Sequence, residues 1–423
     1  MAIPYLKRGA TAGPALACSD EKAQLRATAS DVSRFENAVN CAGNTIPSVS
    51  VFRDFMEDGR TSMDVYADGL TGALRQYAGS RFIIDEQLPR PLNFLPGKLG
   101  NLRMRASRHI YYPWFARRHR GDVNHIVDHG YAHLMRRLNP ARTVVTVHDL
   151  IPLLSWKGCL PGPVKYPHRP VLFERALSYV RRAGCIVADS ENTKKDLIEH
   201  CECPAERIRV VYPGIAPWCR VYSPEERQRA RRRLGMPDFE TRLVLITGSG
   251  AQWYKNHPTC LRVLIRLLES CPWPVKMVRP GGATEDWVRL LAETGMESHF
   301  IQISRPGHHA AMADLYNSVD CLLFPSWYEG FGWPPLEAMA CGTPVVASNA
   351  ASLPEIIGDG GLMCPPDSID DLTTAVRSLL DRGAVNQHFV VAGLRNAGTF
   401  TWRRCAEQFC GIYDSLIAGA LCS

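Results

Sequence analysis

Two carboxylates in the stretch "YEGFGWPPLEAMACG", residues 328 to 342, pose the chemical question. Glu329 stands just before Gly330-Phe331-Gly332, and Glu337 follows eight positions later. The preceding run "CLLFPS" reads as a strand ending at Ser326, and Pro334 or Pro335 suits the first position of a helix, where no hydrogen-bonded donor is lost. Gly342 is placed to stop that helix, and Glu337 is expected in its first turn. Strand, glycine turn and helix start make an anion site: the helix N-terminus carries about half a positive charge, and Gly330 and Gly332 let backbone approach a guest closely. A diphosphate is the guest that fits. Carboxylates repel phosphate, so both acids must face hydroxyls, where each charged hydrogen bond contributes roughly 1.5–3 kcal/mol. One acid for the ribose of a nucleotide and one for a sugar attached to it accounts for the spacing.

Three further places carry candidate chemistry. Lys255 lies in "GSGAQWYKNH", after a predicted strand; His148 and Asp149 end the strand "RTVVTVHDL"; Gly59 sits in "MEDGRTSM", after the first strand. His-Asp pairs also serve metal-dependent phosphohydrolases, but on helices and among further ligands, so no metal site is expected here. There is no Walker lysine loop, no GxGxxG after the first strand and no Asp-x-Asp, which leaves ATP hydrolysis, dinucleotide binding and metal-held nucleotide sugars without sequence support.

The elements that must position these residues alternate. "SVSVFRDF", "VNHIVDH", "RTVVTVHDL", "GCIVADS" and "RIRVVYPGI" read as strands, with helical spacing in "TSMDVYADGLTGALRQY" and "RPVLFERALSYVRRA" between them. After the stretch around 214 to 240 a second series opens with "RLVLITGSG", "PVKMVRPGG", "SHFIQISRP", "CLLFPS" and "TPVVAS". The expected fold is therefore α/β, with two Rossmann-like doubly wound domains facing a cleft. Residues 1–46 read as a poorly ordered extension, 47–215 as the first domain completed by a helix over about 403–423, and 216–402 as the second domain.

At 423 residues and 46% hydrophobic content the chain is an ordinary globular protein of two domains or more. Its fifteen cysteines include no CxxC pair, which points to reduced thiols in the cytoplasm. No stretch approaches a signal-peptide core or a membrane span. Residues 1–215 hold 30 Lys+Arg against 21 Asp+Glu, a formal +9, whereas the remainder holds 19 against 21. Part of that excess is "KLGNLRMRASRHIYYPWFARRHR", residues 98–120, with seven basic residues, no acid, and Tyr111, Tyr112, Trp114 and Phe115. Such a mixture suits an anionic membrane surface or anionic acceptor; the plainer alternative is a solvated helix face over core aromatics. No nucleic-acid motif accompanies it.

"EGFGWPPLEAMACGTPVVAS" closely resembles the E-x7-E signature of retaining GT-B glycosyltransferases, above all family 4. "SMDVYADGL", "HIVDHGYAHL", "VADSENTKKDLIE", "GSGAQWYKNH" and "SLPEIIGDGGLMCPP" follow in that family's order, over roughly residues 48–423. The resemblance implies that Glu337 holds the ribose, that Glu329 contacts the transferred sugar, and that Gly330, Phe331 and Gly332 form the donor turn. It implies Lys255 on the donor diphosphate, with Ser249 where many relatives carry arginine and the backbone of Gly248 to Gly250 as further donors. It also implies His148 near the donor sugar as a second catalytic group, and Gly59 in the glycine loop of the first domain. The implied activity is retaining transfer of a hexose, mannose from GDP-mannose first, to a glycan or polyprenyl-diphosphate-linked glycan in cell-surface polysaccharide synthesis. No metal or other cofactor is implied. The implied setting is cytoplasmic, with contact to an anionic inner membrane face and no nucleic acid. A non-catalytic nucleotide-sugar-binding or scaffold protein of the same fold is the alternative.

Overall fold

The computed structural model describes residues 46–92, 100–162, 168–248, 252–282, 284–303 and 309–419. Within Pro47–Ser423, one compact unit, two parallel sheets each contain six strands. The first comprises β1 (Ser48–Phe52), β2 (Ile83–Gln87), β3 (Val123–Ile126), β4 (Thr143–Val147), β5 (Cys185–Ala188) and β6 (Ile208–Val210), in the order β2-β1-β3-β4-β5-β6. The second comprises β7 (Arg242–Leu245), β8 (Val275–Pro280), β9 (Phe300–Ile303), β10 (Cys321–Phe324), β11 (Val345–Ser348) and β12 (Leu362–Cys364), in the order β12-β11-β10-β7-β8-β9. Each is a Rossmann-like sheet. Strand order reverses between β1 and β3 in the first and between β7 and β10 in the second, and such reversals open crevices at the carboxyl ends of strands.

The sequence explains the central strands directly. TVVTV, CIVA, CLLF and VVAS are buried along their whole length, as expected where helices cover both faces of a parallel sheet. Register joins Val145 to Ile126 on one side and Ile186 on the other, and Leu322 to Leu245 and Val345. β10 stops two residues before the expected Ser326, because Pro325 has no N–H to offer the ladder. β2 and β12 were not expected. They are edge strands, IIDEQ and LMC, too polar or too short to show an alternating pattern.

Helix α1 (Thr61–Ala78) buries Tyr66, Ala67, Leu70 and Leu74 on one face. From the far end of the chain, α3 (Trp402–Ala418) brings Phe409 and Tyr413 into the same cluster over the first sheet. Gly69 of α1 permits this docking: a Cβ there would lie 2.2 Å from the Trp402 indole. The intervening α2 (Trp333–Ala340) follows β10. It begins one residue earlier than expected, since Gly332 at φ 114° starts it, and Glu337 consequently lies in its second turn. Its end is as expected: Gly342 at φ 73° donates to the Met339 carbonyl and Thr343 to that of Ala338, the Schellman pattern. The expectation for residues 1–46 falls outside the described residues, apart from Ile46.

Candidate active site

Loops at the carboxyl ends of both sheets enclose a cavity of about 600 Å³, within the range of small-molecule sites. His148, Lys255, Glu329, Gly330, Phe331, Gly332 and Glu337 all line it. Gly59 does not. It is exposed, at φ 65° after a short turn, and the start of α1, Thr61 to Met63, occupies the cavity wall instead. Ser249 and Gly250 lie outside the described residues.

Two strands of the second sheet meet at the switch point, and their loops bring together the candidates 74 positions apart. Lys255 Nζ donates to Glu329 Oε1 at 2.8 Å, both side chains being nearly buried. Asn256, in the left-handed region at φ 55°, turns the chain sharply after Lys255, and its amide donates to the carbonyls of Pro325 and Pro366. The lysine stem is tucked behind Gly248, where a Cβ would come within 2.8 Å of it. The Glu329 loop is equally fixed. Ser352 Oγ donates to the carbonyls of Glu329 (3.1 Å) and Phe331 (2.6 Å), and Ser190 Oγ, from the first half, donates to that of Gly330 (2.5 Å).

The two halves approach tightly at Gly330. A Cβ there would stand 1.8 Å from the backbone oxygen of His148, so only glycine fits. Around it, the Glu355 carboxylate accepts from the N–H groups of Glu191 and Asn192 and from the Tyr212 hydroxyl at 2.8–3.0 Å. An acid of the second half thereby satisfies orphan donors at a helix start of the first. Tyr328 completes the seam by donating to Asp196 at 2.6 Å.

His148 has both ring nitrogens engaged: Nδ1 lies 3.1 Å from Asp189 Oδ2 and Nε2 2.8 Å from the Val127 carbonyl. A carbonyl only accepts, so Nε2 carries a proton, and the Asp189 carboxylate favours one on Nδ1. Burial opposes the charge, yet Asp189, Asp128 and the Val127 carbonyl outweigh it and raise the pKa to about 9. The ring is an imidazolium, without a lone pair to act as a base. Asp189 was not anticipated; its position at the end of β5, before the helix cap Ser190, is the signal that pointed to it.

Glu337 reaches the cavity from the second turn of α2 and accepts from the Tyr316 hydroxyl at 2.7 Å. Burial of the carboxyl group pushes its pKa up to about 7, against the lowering effect of Tyr316. The start of α2 is a poorer donor set than the sequence suggested, because Pro334 and Pro335 are its second and third residues and carry no N–H. Phe331 is largely buried and packs on Tyr212, Trp333 and Phe400, so it anchors the turn from behind. Among the described residues no group of three or more His, Cys, Asp or Glu is arranged to hold a metal ion.

Residues 62–217 match the family description "Glycosyltransferase Family 4" and residues 241–382 match "Glycosyl transferases group 1". The chain belongs to glycosyltransferase family 4 and has the GT-B fold. A D-inositol 3-phosphate glycosyltransferase of Corynebacterium aurimucosum is 31% identical over 246 residues, 55% of this chain and 57% of that protein. The serotype-specific mannosyltransferase WbdA of Escherichia coli is 28% identical over 275 residues, 63% of this chain and 33% of that one. The matched stretches thus span about half or less of these relatives' lengths. Anabaena Alr3699/HepE, solved in complex with UDP and glucose, shares the fold at 19% identity, with a TM-score of 0.65 over 87% of this chain and 100% of that one.

Two outcomes follow for this family 4 chain. Gly330→Ala should prevent closure, because the clash is with backbone; far-UV dichroism stays native, small-angle scattering shows a larger radius of gyration, and turnover falls by about 100-fold or more. An unchanged radius and full turnover would contradict the contact. Glu337 should make affinity for any ligand whose hydroxyls reach it depend on pH: hydroxyl donors favour its carboxylate, so such binding releases a proton. Below about 7, affinity should drop by up to about tenfold per pH unit, and above it should level off. Calorimetry at pH 6 and pH 8 checks this, and Glu337→Gln should flatten the profile.

Proposed function

We propose that the protein transfers a hexose, with retention of anomeric configuration, from a nucleotide sugar to a hydroxyl of a glycan or lipid-linked glycan in cell-surface polysaccharide synthesis. One observation carries the reading: a single cleft gathers Glu329, paired to Lys255, and Glu337 at the switch point of the second sheet. In that reading Glu337 holds the ribose hydroxyls. The donor diphosphate draws Lys255 away from Glu329, whose freed carboxylate then accepts from hydroxyls of the transferred sugar. Lys255 offsets charge as the bond between the anomeric carbon and the diphosphate breaks. The acceptor oxygen bonds to the anomeric carbon on the face the diphosphate leaves, and its proton passes to the departing phosphate oxygen. His148, already an imidazolium, serves as a fixed positive charge rather than as the base. No metal enters this scheme.

Mannose from GDP-mannose is the first candidate donor, supported by the mannosyltransferase relative; the acceptor is a glycan on a polyprenyl diphosphate. Incubation with GDP-mannose, GDP-fucose, UDP-glucose, UDP-galactose and ADP-glucose, with slow donor hydrolysis as the readout, tests both the activity and the donor. Glu329→Ala should lower turnover about 10²–10³-fold with donor affinity nearly kept, while Glu337→Ala should mainly weaken donor binding. Binding of a donor with no hydrolysis or transfer would instead support the binding-protein alternative.

We further propose that the cytoplasmic enzyme works on the inner membrane face through the basic segment. Residues Gly100–Arg118 are helical, with a π turn at Ser107–Tyr111. Tyr112 is core, but Leu102, Ile110 and Trp114 are 56%, 73% and 49% exposed. Eight residues of α-helix would set Leu102 and Ile110 about 80° apart, and the wider π turn takes up that excess. The neighbouring helix Val171–Val180 adds exposed Val171 and Leu172, with Arg175 on the same side and close enough to His109 to disfavour its charge. Arginines flank this apolar row, and Arg118 stacks over Trp114 at 3.7 Å. No helix among the described residues is long and apolar enough to cross a membrane, so the contact is peripheral. Replacing Arg105, Arg117, Arg118 and Arg175 with Gln should abolish co-sedimentation with phosphatidylglycerol vesicles at low salt, at about 1 kcal/mol per charge, and leave turnover on a soluble acceptor intact. Unchanged vesicle binding would return the segment to a solvated face.

A further inference from the structure

At the carboxyl end of β8, next to the Lys255 loop, the structure buries a guanidinium that no carboxylate among the described residues answers. Arg279 is 0% exposed and stacks over Trp287 at 4.7 Å. Nη1 donates to the Gly282 carbonyl at 3.2 Å and to Gln302 Oε1 at 3.4 Å, whereas Nε and Nη2 have no hydrogen-bond partner. Burial alone acts on its pKa and lowers it, and no acid raises it. A buried charge without a counter-charge is among the least favourable arrangements in a protein, so an arginine kept here implies an anion that arrives from outside.

The surroundings say where. Gly281 and Gly282, behind which the guanidinium sits, line the cleft together with Thr247 and Gly248 at the end of neighbouring β7. The Thr247 hydroxyl is likewise buried and unpartnered. His257 feels both cations: burial, then the charges of Arg279 and Lys255, push its pKa down to about 4 despite its bond with the Thr247 carbonyl. It adds no charge of its own. Lys255, once drawn from Glu329, is the single side-chain cation assigned to the diphosphate, and α2 presents prolines in its first turn, so a diphosphate would face fewer positive charges than it carries negative ones.

We propose that Arg279 supplies the second positive charge for the donor diphosphate, from beneath the Gly281–Gly282 turn. The proposal rests on the nucleotide-sugar reading of the cleft. Arg279 acts through its field and through the turn it holds by the Gly282 carbonyl, which makes it a positioning residue rather than a catalytic one. The ion arrives from solvent as the donor binds, and the buried charge gains its counter-ion only then.

Calorimetry of GDP and UDP against guanosine and uridine, at two salt concentrations, tests it with Arg279→Met, which keeps volume, and Arg279→Lys, which keeps charge. In Arg279→Met the preferred diphosphate should bind at least tenfold more weakly while its nucleoside stays within twofold, and the salt dependence of diphosphate binding should shrink. Arg279→Lys should recover most of the loss, and the thermal midpoint of Arg279→Met should stay level or rise. Equal losses for diphosphate and nucleoside, or no loss for either, would overturn the proposal; so would Arg279→Met and Arg279→Lys binding alike. Wild-type protein that binds none of these ligands would defeat the nucleotide-sugar reading itself, whereas normal diphosphate binding by Arg279→Met defeats only the role of Arg279.

Discussion

Everything in the cleft depends on one close approach, the backbone of Gly330 against the carbonyl of His148. Neither partner is a flexible side chain that could swing aside, so the approach leaves no room for a side chain at position 330. The carbonyls of Glu329, Gly330 and Phe331 are each held by a serine hydroxyl, one of them from the opposite half. With its carbonyls spoken for, the loop can present the Glu329 side chain only toward the cavity. Closure and positioning of the acid are therefore one event.

The electrostatics of the site are arranged as deferred pairs. Lys255 and Glu329 hold each other in the cleft wall; in the proposed reading a diphosphate would compete for Lys255 and release the acid for hydroxyls. Burial pushes the Glu337 pKa up to about 7, and in the proposed reading hydroxyl donors would favour its carboxylate. Arg279 has two neutral acceptors for Nη1 and no carboxylate partner among the described residues, with Nε and Nη2 unpartnered. The basic segment follows a different logic: exposed leucine, isoleucine and tryptophan stand among arginines, the mixture proposed above for an anionic lipid interface.

Much of this was legible in the residues. The twofold run of apolar strands set the two parallel sheets, because a strand covered on both faces must be apolar throughout. Glycine, proline and acid types at 329–342 defined the turn, the short helix and its glycine stop, since backbone sterics at those residues are local. Two edge strands escaped, for an edge strand has one solvated side and tolerates Asp85 and Glu86. The start of α2 was displaced by one residue because Gly332, rather than a proline, turned out to set it.

What tertiary structure alone decided is who faces whom. Sequence pointed to His148 near the sugar, but not to Asp189 and Val127 occupying both ring nitrogens, which come from other strands. It marked Gly59, yet the fold gives that wall to the start of α1. It could show an arginine in "MVRPGG" but not that the guanidinium ends up enclosed without an acid, because charge balance is set by neighbours dozens of residues away. Local chemistry fixes which groups exist and what backbone they require; the pairing of charges and the meeting of Gly330 with His148 arise only when the carboxyl ends of the two sheets are brought together.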